Sequence, residues 1–257
     1  MIYGVQTQEA IIRGGGAGGL IGAVHFAGSI QGHGPTHLVN NSLSAGTDNG
    51  LFCFSAWMTD ICATANNANT FMVSWPTTNY QPWFGTTATL TGGSGNHFTA
   101  SVQNNNAQYL WNPFSTSWHH FLFSLDSNQA SGSKIFSLYV DDVLQTASSH
   151  QDRVAAIVSS INGKPFWWGD DSFNDGPDFN CAYVWISPNH SLHLSDGTIP
   201  TATRRQFINA DLTPVDPSTL PSSAILFAGG ASSFATNRGT GGAFTLAGTL
   251  TDASSHP

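Results

Sequence analysis

The chain has 257 residues, of which 40% are hydrophobic, and this is enough to bury a sizeable core. Only 9% are charged and the net charge is −8, so no basic patch could neutralise a phosphate backbone and no nucleic-acid partner is expected. The three cysteines are an odd number and lack metal-ligand spacing, which argues against a disulfide framework and a zinc site. No stretch predicts a secretion signal or a membrane-spanning helix. We therefore expect a soluble protein that folds in a reducing compartment and has no membrane partner.

The N-terminal segment lies outside any strand pattern and ends in the run GGGAGG at residues 14–19. Because glycine adopts many backbone conformations, this composition favours flexibility over a place in the core. We predict that residues 1–20 form an arm that docks on another subunit.

Alternating apolar residues begin at residue 50 and are clearest in a pair of runs, SWHHFLFSLD (117–126) and KIFSLYVDD (134–142). In the first run Phe121, Phe123 and Leu125 share one face, as expected for a strand with one face in a core. Polar residues separate the two runs, which predicts an antiparallel hairpin. The other predicted strands cover residues 50–59, 70–75, 97–102, 165–169, 180–187, 224–229 and 243–250.

Several of these runs are apolar on both faces, which we attribute to inner strands of two stacked sheets. The only predicted helix is short, around residues 203–209. Many strands and almost no helix predict an all-β fold, a two-sheet antiparallel β-sandwich of the jelly-roll type. We place this sandwich in residues 21–194 and a C-terminal appendage, packed on it, in residues 195–257.

Three short motifs resemble the laminin-G and concanavalin-A-like lectin/glucanase superfamily: FSAWMT (54–59), SWHHFLFSLD and FSLYVDDVLQT (136–146). They occur in the order found in that family, and the resemblance covers roughly residues 23–187. It implies a lectin-like sandwich. The family has a glycine after the aspartate of its hairpin, whereas this chain has Asp142, which tolerates a positive φ less well than glycine does.

The stretch RRQFINADLTPVD (204–216), followed by ATNRGTGGAFTLAGTL (235–250), is similar to a group of tailed-bacteriophage virion proteins that carry a lectin-like sandwich. This similarity implies a virion subunit that is assembled in the host cytoplasm. Such a subunit would decorate the capsid or associate with the tail, with other virion proteins and copies of itself as partners.

An enzymatic function has little support in the sequence. A retaining glycosidase needs two carboxyl groups about 5–5.5 Å apart, but the only glutamate is Glu9, in the arm. Asp141 and Asp142 are adjacent, so they would face opposite ways in a strand. We therefore predict a non-enzymatic virion structural protein, with a carbohydrate-binding adhesin or lectin module as the alternative and a glycosidase third.

The stretch GDDSFNDGPDFN (169–180) is the candidate cation site, although no cofactor is required by the sequence. Calcium is bound by six to eight oxygen ligands from a flexible loop, and a solvated Asp/Asn turn has the same composition; both interpretations stay open. Because His119 and His120 face opposite ways on a strand, they cannot bind one metal ion together. We expect them to cap the strand instead. The candidate calcium ligands are Asp170, Asp171, Asn174, Asp175 and Asp178.

Two proline-containing stretches, residues 74–85 and 110–118, read as loops rich in aromatic side chains. Exposed aromatic rings can stack on a host-surface glycan, contact a neighbouring subunit, or pack on the body of the sandwich. These three alternatives stay open. The candidate contact residues are Trp75, Tyr80, Trp83, Phe84, Trp111 and Phe114.

We expect a chain lacking residues 1–20 to keep the β-type circular dichroism of the full protein but to lose incorporation into particles. The reason is that the arm is predicted to contact a neighbouring subunit rather than the core. Far-ultraviolet circular dichroism and co-sedimentation with particles measure the two properties. Unfolding of the truncated chain would instead identify the arm as a core strand.

Overall fold

The computed structural model describes residues 22–27, 36–47, 49–59, 69–74, 82–87, 97–102, 105–110, 117–129, 133, 135–151, 161–169 and 178–257. Among these residues no helix is long and apolar enough to cross a membrane. The predicted N-terminal arm lies outside the described residues.

The described chain consists almost entirely of strands. The strands are β1 Val24–Phe26, β2 His37–Asn40, β3 Leu51–Thr59, β4 Asn69–Ser74, β5 Pro82–Thr87, β6 His97–Val102, β7 Asn105–Leu110, β8 His119–Asp126, β9 Ile135–Val140, β10 Val143–Leu144, β11 Ala147–Gln151, β12 Phe166–Trp168, β13 Phe179–Pro188, β14 Ile225–Phe227, β15 Thr245–Ala247 and β16 Thr251–Asp252. One α-helical turn, α1 (Thr201–Arg204), and one 3₁₀ turn, Pro217–Thr219, complete the elements.

The strands form two antiparallel sheets. Sheet A has the order β10-β9-β8-β3-β13-β1-β16, and β14 also pairs with β13. Sheet B has the order β11-β7-β6-β5-β4-β12-β2-β15. The predicted all-β, two-sheet antiparallel sandwich is confirmed, and so is the predicted hairpin, since β8 pairs with β9 over six residues from Phe121↔Val140 to Asp126↔Ile135.

The core lies between the two sheets and follows the predicted alternation. On β3, Phe52 and Phe54 point into it, and Phe54 pairs directly with Phe123 of β8, with ring centroids 5.7 Å apart. Sheet B contributes Phe166 and Trp168, both fully buried. Phe121, Phe123 and Leu125 of β8 all belong to this core, so the inward face of β8 is the one that the period-two pattern assigns.

The opposite face of sheet A is also buried, under what we call the covering segment, residues 190–221. Trp185 of β13 projects from this face and meets the ring of Phe207 at 4.8 Å between centroids. Its indole N–H donates to the carbonyl of Pro221 at 2.7 Å. The stacking of two sheets thus explains only one apolar face of these strands, and the covering segment explains the other. The buried residues of this second cluster are Cys53, Leu122, Tyr139, Trp185, Leu192, Ile199 and Phe207.

The C-terminal part of the chain also enters both sheets. β14 pairs with β13 and β16 pairs with β1 in sheet A, whereas β15 pairs with β2 in sheet B. Phe227 and Phe234 carry aromatic contacts from this segment into the common core, with 5.7 Å between their ring centroids. The segment predicted as an appendage therefore supplies strands as well as a cover.

Some predicted elements are displaced. Asn105 and Asn106, part of an asparagine run that reads as a turn, begin β7. The helix expected at residues 203–209 is the single turn α1, which begins directly after Pro200. Short or polar strands such as these carry little periodic signal, because cross-strand pairing rather than side-chain pattern stabilises them.

Phe207→Ala should lower the free energy of unfolding by about 3–5 kcal/mol, because it leaves a cavity under the covering segment where Phe207 is only 2% exposed. Leu194→Ala is the control, since Leu194 is 54% exposed and its truncation should stay within about 0.5 kcal/mol. Urea denaturation followed by tryptophan fluorescence measures both. Equal stability of the two variants would mean that the covering segment contributes little to the fold.

Candidate functional site

The β9–β10 hairpin turns through two aspartates. Val140 pairs with Val143, and the two residues between them, Asp141 and Asp142, have φ of 49° and 68°. Positive φ at both central positions of a two-residue loop is a type I′ turn. Glycine suits the second position better, so the side chain of Asp142 must contribute something that glycine cannot.

Asp142 lies between two arginines of the covering segment. Its Oδ1 accepts a hydrogen bond from Arg204 Nε, and its Oδ2 accepts one from an Arg205 Nη at 2.6 Å. Burial raises the pKa of the Asp142 carboxyl, but the hydrogen bonds and charges of Arg205 and Arg204 outweigh burial and hold this pKa below its ordinary value. The guanidinium of Arg204 also lies over the Tyr139 ring, 4.7 Å from its centroid. The two arginines thus fasten the hairpin to the covering segment.

The paired histidines lie at the start of β8 and use opposite faces of the strand. His119 Nδ1 is 2.6 Å from Asp141 Oδ2, while Asp141 Oδ1 accepts the backbone N–H of His120 at 2.9 Å. His120 is 1% exposed, and its Nε2 lies 2.9 Å from Ser55 Oγ. Burial lowers the pKa of His120 to about 3, against the raising effect of Asp141 and Asp142, so the ring is neutral at ordinary pH. The two side chains serve the hairpin and the sheet separately and do not meet at one metal.

A further histidine contacts a serine on β8. His193 Nδ1 is 2.7 Å from Ser124 Oγ, which also accepts the backbone N–H of Leu192 at 3.0 Å. Burial lowers the pKa of His193, against the raising effect of Asp126. Ser124 is fully buried, so a substrate cannot reach its hydroxyl and the pair does not form a nucleophile and base. The contact fixes the covering segment to sheet A.

An open groove of about 390 Å³ lies beside the hairpin. One wall is the start of β9, another is the chain that leaves β10, and the third is the turn at residues 195–198. Ser137 Oγ donates to the carbonyl of Gly197 at 2.5 Å and so joins the first wall to the third. Gly197 has φ of 84°, a conformation that favours glycine and shapes this turn. The lining residues used below are Ile135, Leu144, Gln145, Thr146, Ser195 and Asp196.

Asp196 carries the negative charge of the groove. Its Oδ1 accepts hydrogen bonds from the Thr198 hydroxyl at 2.7 Å and the Thr198 N–H at 2.9 Å. These hydrogen bonds lower the pKa of the exposed Asp196 carboxyl. Ile135, whose side chain faces Gly197, and Leu144, which is 49% exposed, line the same groove. The groove therefore combines an ionised acceptor with apolar surface.

Most of the predicted calcium ligands lie outside the described residues: Asp170, Asp171, Asn174 and Asp175. Asp178 is described and is exposed, and its Oδ1 lies 3.2 Å from His25 Nε2. The other ring nitrogen of His25 lies 3.1 Å from Asn180 Oδ1. Within the described part of the chain, no three His, Cys, Asp or Glu side chains form a metal-binding group. The calcium prediction stays open.

The predicted contact aromatics are also only partly described. Trp75, Tyr80, Trp111 and Phe114 lie outside the described residues. Trp83 and Phe84 do not lie in a loop as predicted, because both belong to β5 and pair with β4 and β6. Pro82 is the first residue of β5, a position where proline is tolerated, and this explains why the stretch was assigned to a loop.

The groove was not predicted from the sequence. The stretch SDGT at residues 195–198 carries a turn signal, and Gln145 and Thr146 follow the second strand of the hairpin. The sequence does not predict that these two stretches lie close together in space, because their contact depends on how the covering segment crosses sheet A. A turn signal with an aspartate next to a glycine is the only local indication.

No protein-family model and no curated protein sequence matches the chain. Solved structures that resemble the chain at low identity include the following two. A native heptameric SAP-like pentraxin from Limulus polyphemus has a TM-score of 0.54 and 8% identity, and the match covers 92% of this chain and 96% of the pentraxin. A putative carbohydrate-binding protein from Bacteroides ovatus has a TM-score of 0.55 and 14% identity, with 92% of this chain and 61% of that protein covered. The chain has the concanavalin-A-like lectin/glucanase sandwich fold.

Asp142→Asn should lower the free energy of unfolding by about 2–3 kcal/mol, since it removes the charge that pairs with two arginines while keeping a side chain that tolerates positive φ. Asp211→Asn is the matched control, because Asp211 is exposed and hydrogen-bonds only its neighbour Thr213. Urea denaturation at neutral pH measures both variants. If Asp142→Asn is no less stable than Asp211→Asn, the arginine contacts do not hold the hairpin.

The stability difference between the wild type and Asp142→Asn should depend on pH. The folded pKa of Asp142 is depressed, so its contribution is complete above the unfolded value of about 3.9. It should shrink as the pH falls through the folded pKa. A difference that instead grows towards acid pH would contradict this assignment.

Proposed function

We propose that the protein is a non-enzymatic carbohydrate-binding module that holds a neutral polysaccharide in the groove between the β9–β10 hairpin and residues 195–198. The observation that carries this proposal is one open groove in which the ionised carboxylate of Asp196 shares the lining with the apolar side chains of Ile135 and Leu144. The same groove has hydroxyl and amide groups from Thr146 and Gln145.

These groups match the two kinds of surface on a pyranose ring. An ionised carboxylate only accepts hydrogen bonds, so Asp196 can accept from neighbouring ring hydroxyls. Ile135 and Leu144 supply surface for the apolar C–H face of the ring. Gln145 has both a donor and an acceptor on its amide. A negative charge beside the ligand favours neutral sugars over acidic ones.

The shape of the groove and the fold support the same proposal. The groove is open, so an internal stretch of a polymer can lie in it without a free chain end. The Bacteroides ovatus structure of the same fold belongs to a putative carbohydrate-binding protein, although the fold alone does not decide function.

The distribution of carboxylates supports binding without catalysis. Glycoside hydrolysis requires two carboxyl groups on either side of the scissile bond. Asp196 is the only carboxylate among the described residues that line the groove. Asp141 and Asp142 are engaged by His119 and the two arginines. Glu9, the single glutamate, lies in the N-terminal segment.

A virion stays the predicted location, and its support is the similarity of residues 204–250 to tailed-phage virion proteins. In that setting the ligand would be a host-surface glycan, and the partners would be virion proteins and further copies of this chain. Arg204, Arg205 and Asn237 of the similar stretches all make contacts within this fold. These contacts within the fold are enough to explain why the three residues occur in these stretches, without any contact to a partner protein.

Asp196→Asn should weaken retention by a neutral polysaccharide about tenfold or more, because each charge-assisted hydrogen bond is worth about 1.5–3 kcal/mol. Affinity electrophoresis through gels that contain soluble β-glucan, galactomannan or xylan measures the effect. Asp211→Asn is the matched control: Asp211 Oδ1 accepts from the Thr213 hydroxyl at 2.7 Å and its N–H at 3.2 Å, like Asp196, but lies outside the groove.

The same polysaccharides should release no reducing ends during incubation with the wild type. Steady release that Asp196→Asn abolishes would replace the binding module by a glycosidase. Equal retention of wild type and Asp196→Asn in every gel that retards the wild type would exclude the groove as the binding site.

A further inference from the structure

A second concave site lies where the covering segment meets β14. It is a cleft of about 280 Å³, and it shares no lining residue with the groove. Its lining combines apolar side chains with hydroxyl groups and one cation. The apolar members are Pro217, Leu220, Pro221 and Leu226, and the polar members are Ser218, Ser222, Ser223, Arg238 and Thr240.

Arg238 is the only cation among the described residues that line the cleft. Its side chain is exposed and forms no ion pair with any carboxylate in the described part of the chain. Arg204 and Arg205, in contrast, both bind Asp142. Asp216, beside the cleft, directs its carboxylate to the Ser218 N–H at 2.8 Å. In a chain of net charge −8, an arginine that lines a cleft and has no ion pair among the described residues favours an anionic ligand.

The chain around Arg238 is held firmly. Asn237 Oδ1 accepts the N–H groups of Leu226 and Gly239, each at 2.9 Å. Its Nδ2 donates to the carbonyls of Ala224 at 3.0 Å and Gly242 at 2.8 Å. A Cβ at Gly239 would collide with the Ala224 carbonyl, so glycine permits this close approach. The backbone at Arg238 is thus held in place before any ligand binds, which lowers the entropy cost of binding.

The opposite wall is fixed as well. The Trp185 indole donates to the Pro221 carbonyl at 2.7 Å, and Trp185 itself is 1% exposed. The Asp216 carboxylate caps the 3₁₀ turn that begins at Pro217. Two fixed walls therefore enclose a cleft slightly smaller than the roughly 300–1,000 Å³ of drug-sized sites, which suits a single sugar unit.

We infer that this cleft binds a carboxylate-bearing pyranose, a hexuronate unit, with its carboxylate on Arg238. A guanidinium and a carboxylate match each other through two parallel hydrogen bonds. Leu220 and Leu226 provide apolar surface for the ring, and the hydroxyl of Ser222 in the same lining can hydrogen-bond a ring hydroxyl. The site is separate from the groove in both position and charge, so it adds an acidic-sugar specificity that the proposed function does not contain.

Nuclear magnetic resonance titration of the ¹⁵N-labelled protein with D-glucuronate tests the site, with D-glucose as the neutral match and sulfate as an anion without a ring. We expect glucuronate to shift the amide signals of Arg238, Gly239 and Thr240 and to bind at least tenfold more tightly than glucose or sulfate. Arg238→Gln should remove this preference. Arg238→Lys should retain part of it, because it keeps the charge but loses the paired hydrogen bonds. Lys164→Gln, which removes a cation outside the cleft, should change nothing.

Three results would overturn the inference: equal binding of glucose and glucuronate, unchanged glucuronate binding by Arg238→Gln, or sulfate binding as tight as that of glucuronate. Arg238→Gln should be retained by neutral polysaccharide as strongly as the wild type, because Arg238 lies outside the groove. This measurement separates the test of the cleft from that of the groove. Normal retention of the wild type by neutral polysaccharide, together with failure of the wild type to bind glucuronate, would refute the cleft alone.

Discussion

Sheet A buries side chains on both of its faces, and this constraint governs the arrangement of the rest of the chain. One face packs on sheet B through residues such as Phe54 and Phe123. The other carries Trp185 and its neighbours, which would lie exposed without the covering segment. Large apolar side chains in water are unfavourable by about 25 cal/mol per Å² of surface, so the chain after β13 must return across this face. Both candidate sites lie at the borders of that return.

The small number of charges makes their positions informative. Charged residues are 9% of the chain, and several hold the hairpin to the covering segment: Asp142 with Arg204 and Arg205, and Asp141 with His119. These pairs are partly buried, where an ion pair is screened less than on an open surface. Asp196 and Arg238 have no ion pair in the described structure, and each lines a concave surface. The opposite charges of these two separate surfaces are the basis for proposing a neutral ligand at one and an acidic ligand at the other.

The errors of prediction have definite physical causes. Trp83 and Phe84 lie in a strand because Pro82 can begin one, although a proline near two aromatic residues usually suggests a loop. Asn105 and Asn106 lie in β7 because the neighbouring strands β6 and β11 supply their hydrogen-bond partners. In both cases pairing between distant segments overrides local preference. Packing of residues 195–257 on the sandwich was predicted, but the face of sheet A that they cover was not, since an apolar residue in a loop does not reveal which surface it meets.

The sequence by itself determined the all-β class, the β8–β9 hairpin and which side chains of these strands face the core, because a strand alternates its faces whatever it pairs with. It also predicted that His119 and His120 cannot share a metal. Only the tertiary structure decided the two concave sites. The groove joins residues 135–137 to residues 195–198, and the cleft joins the 3₁₀ turn to residues 238–240. Such sites depend on contacts between segments far apart in the chain, and local periodicity carries no information about those contacts.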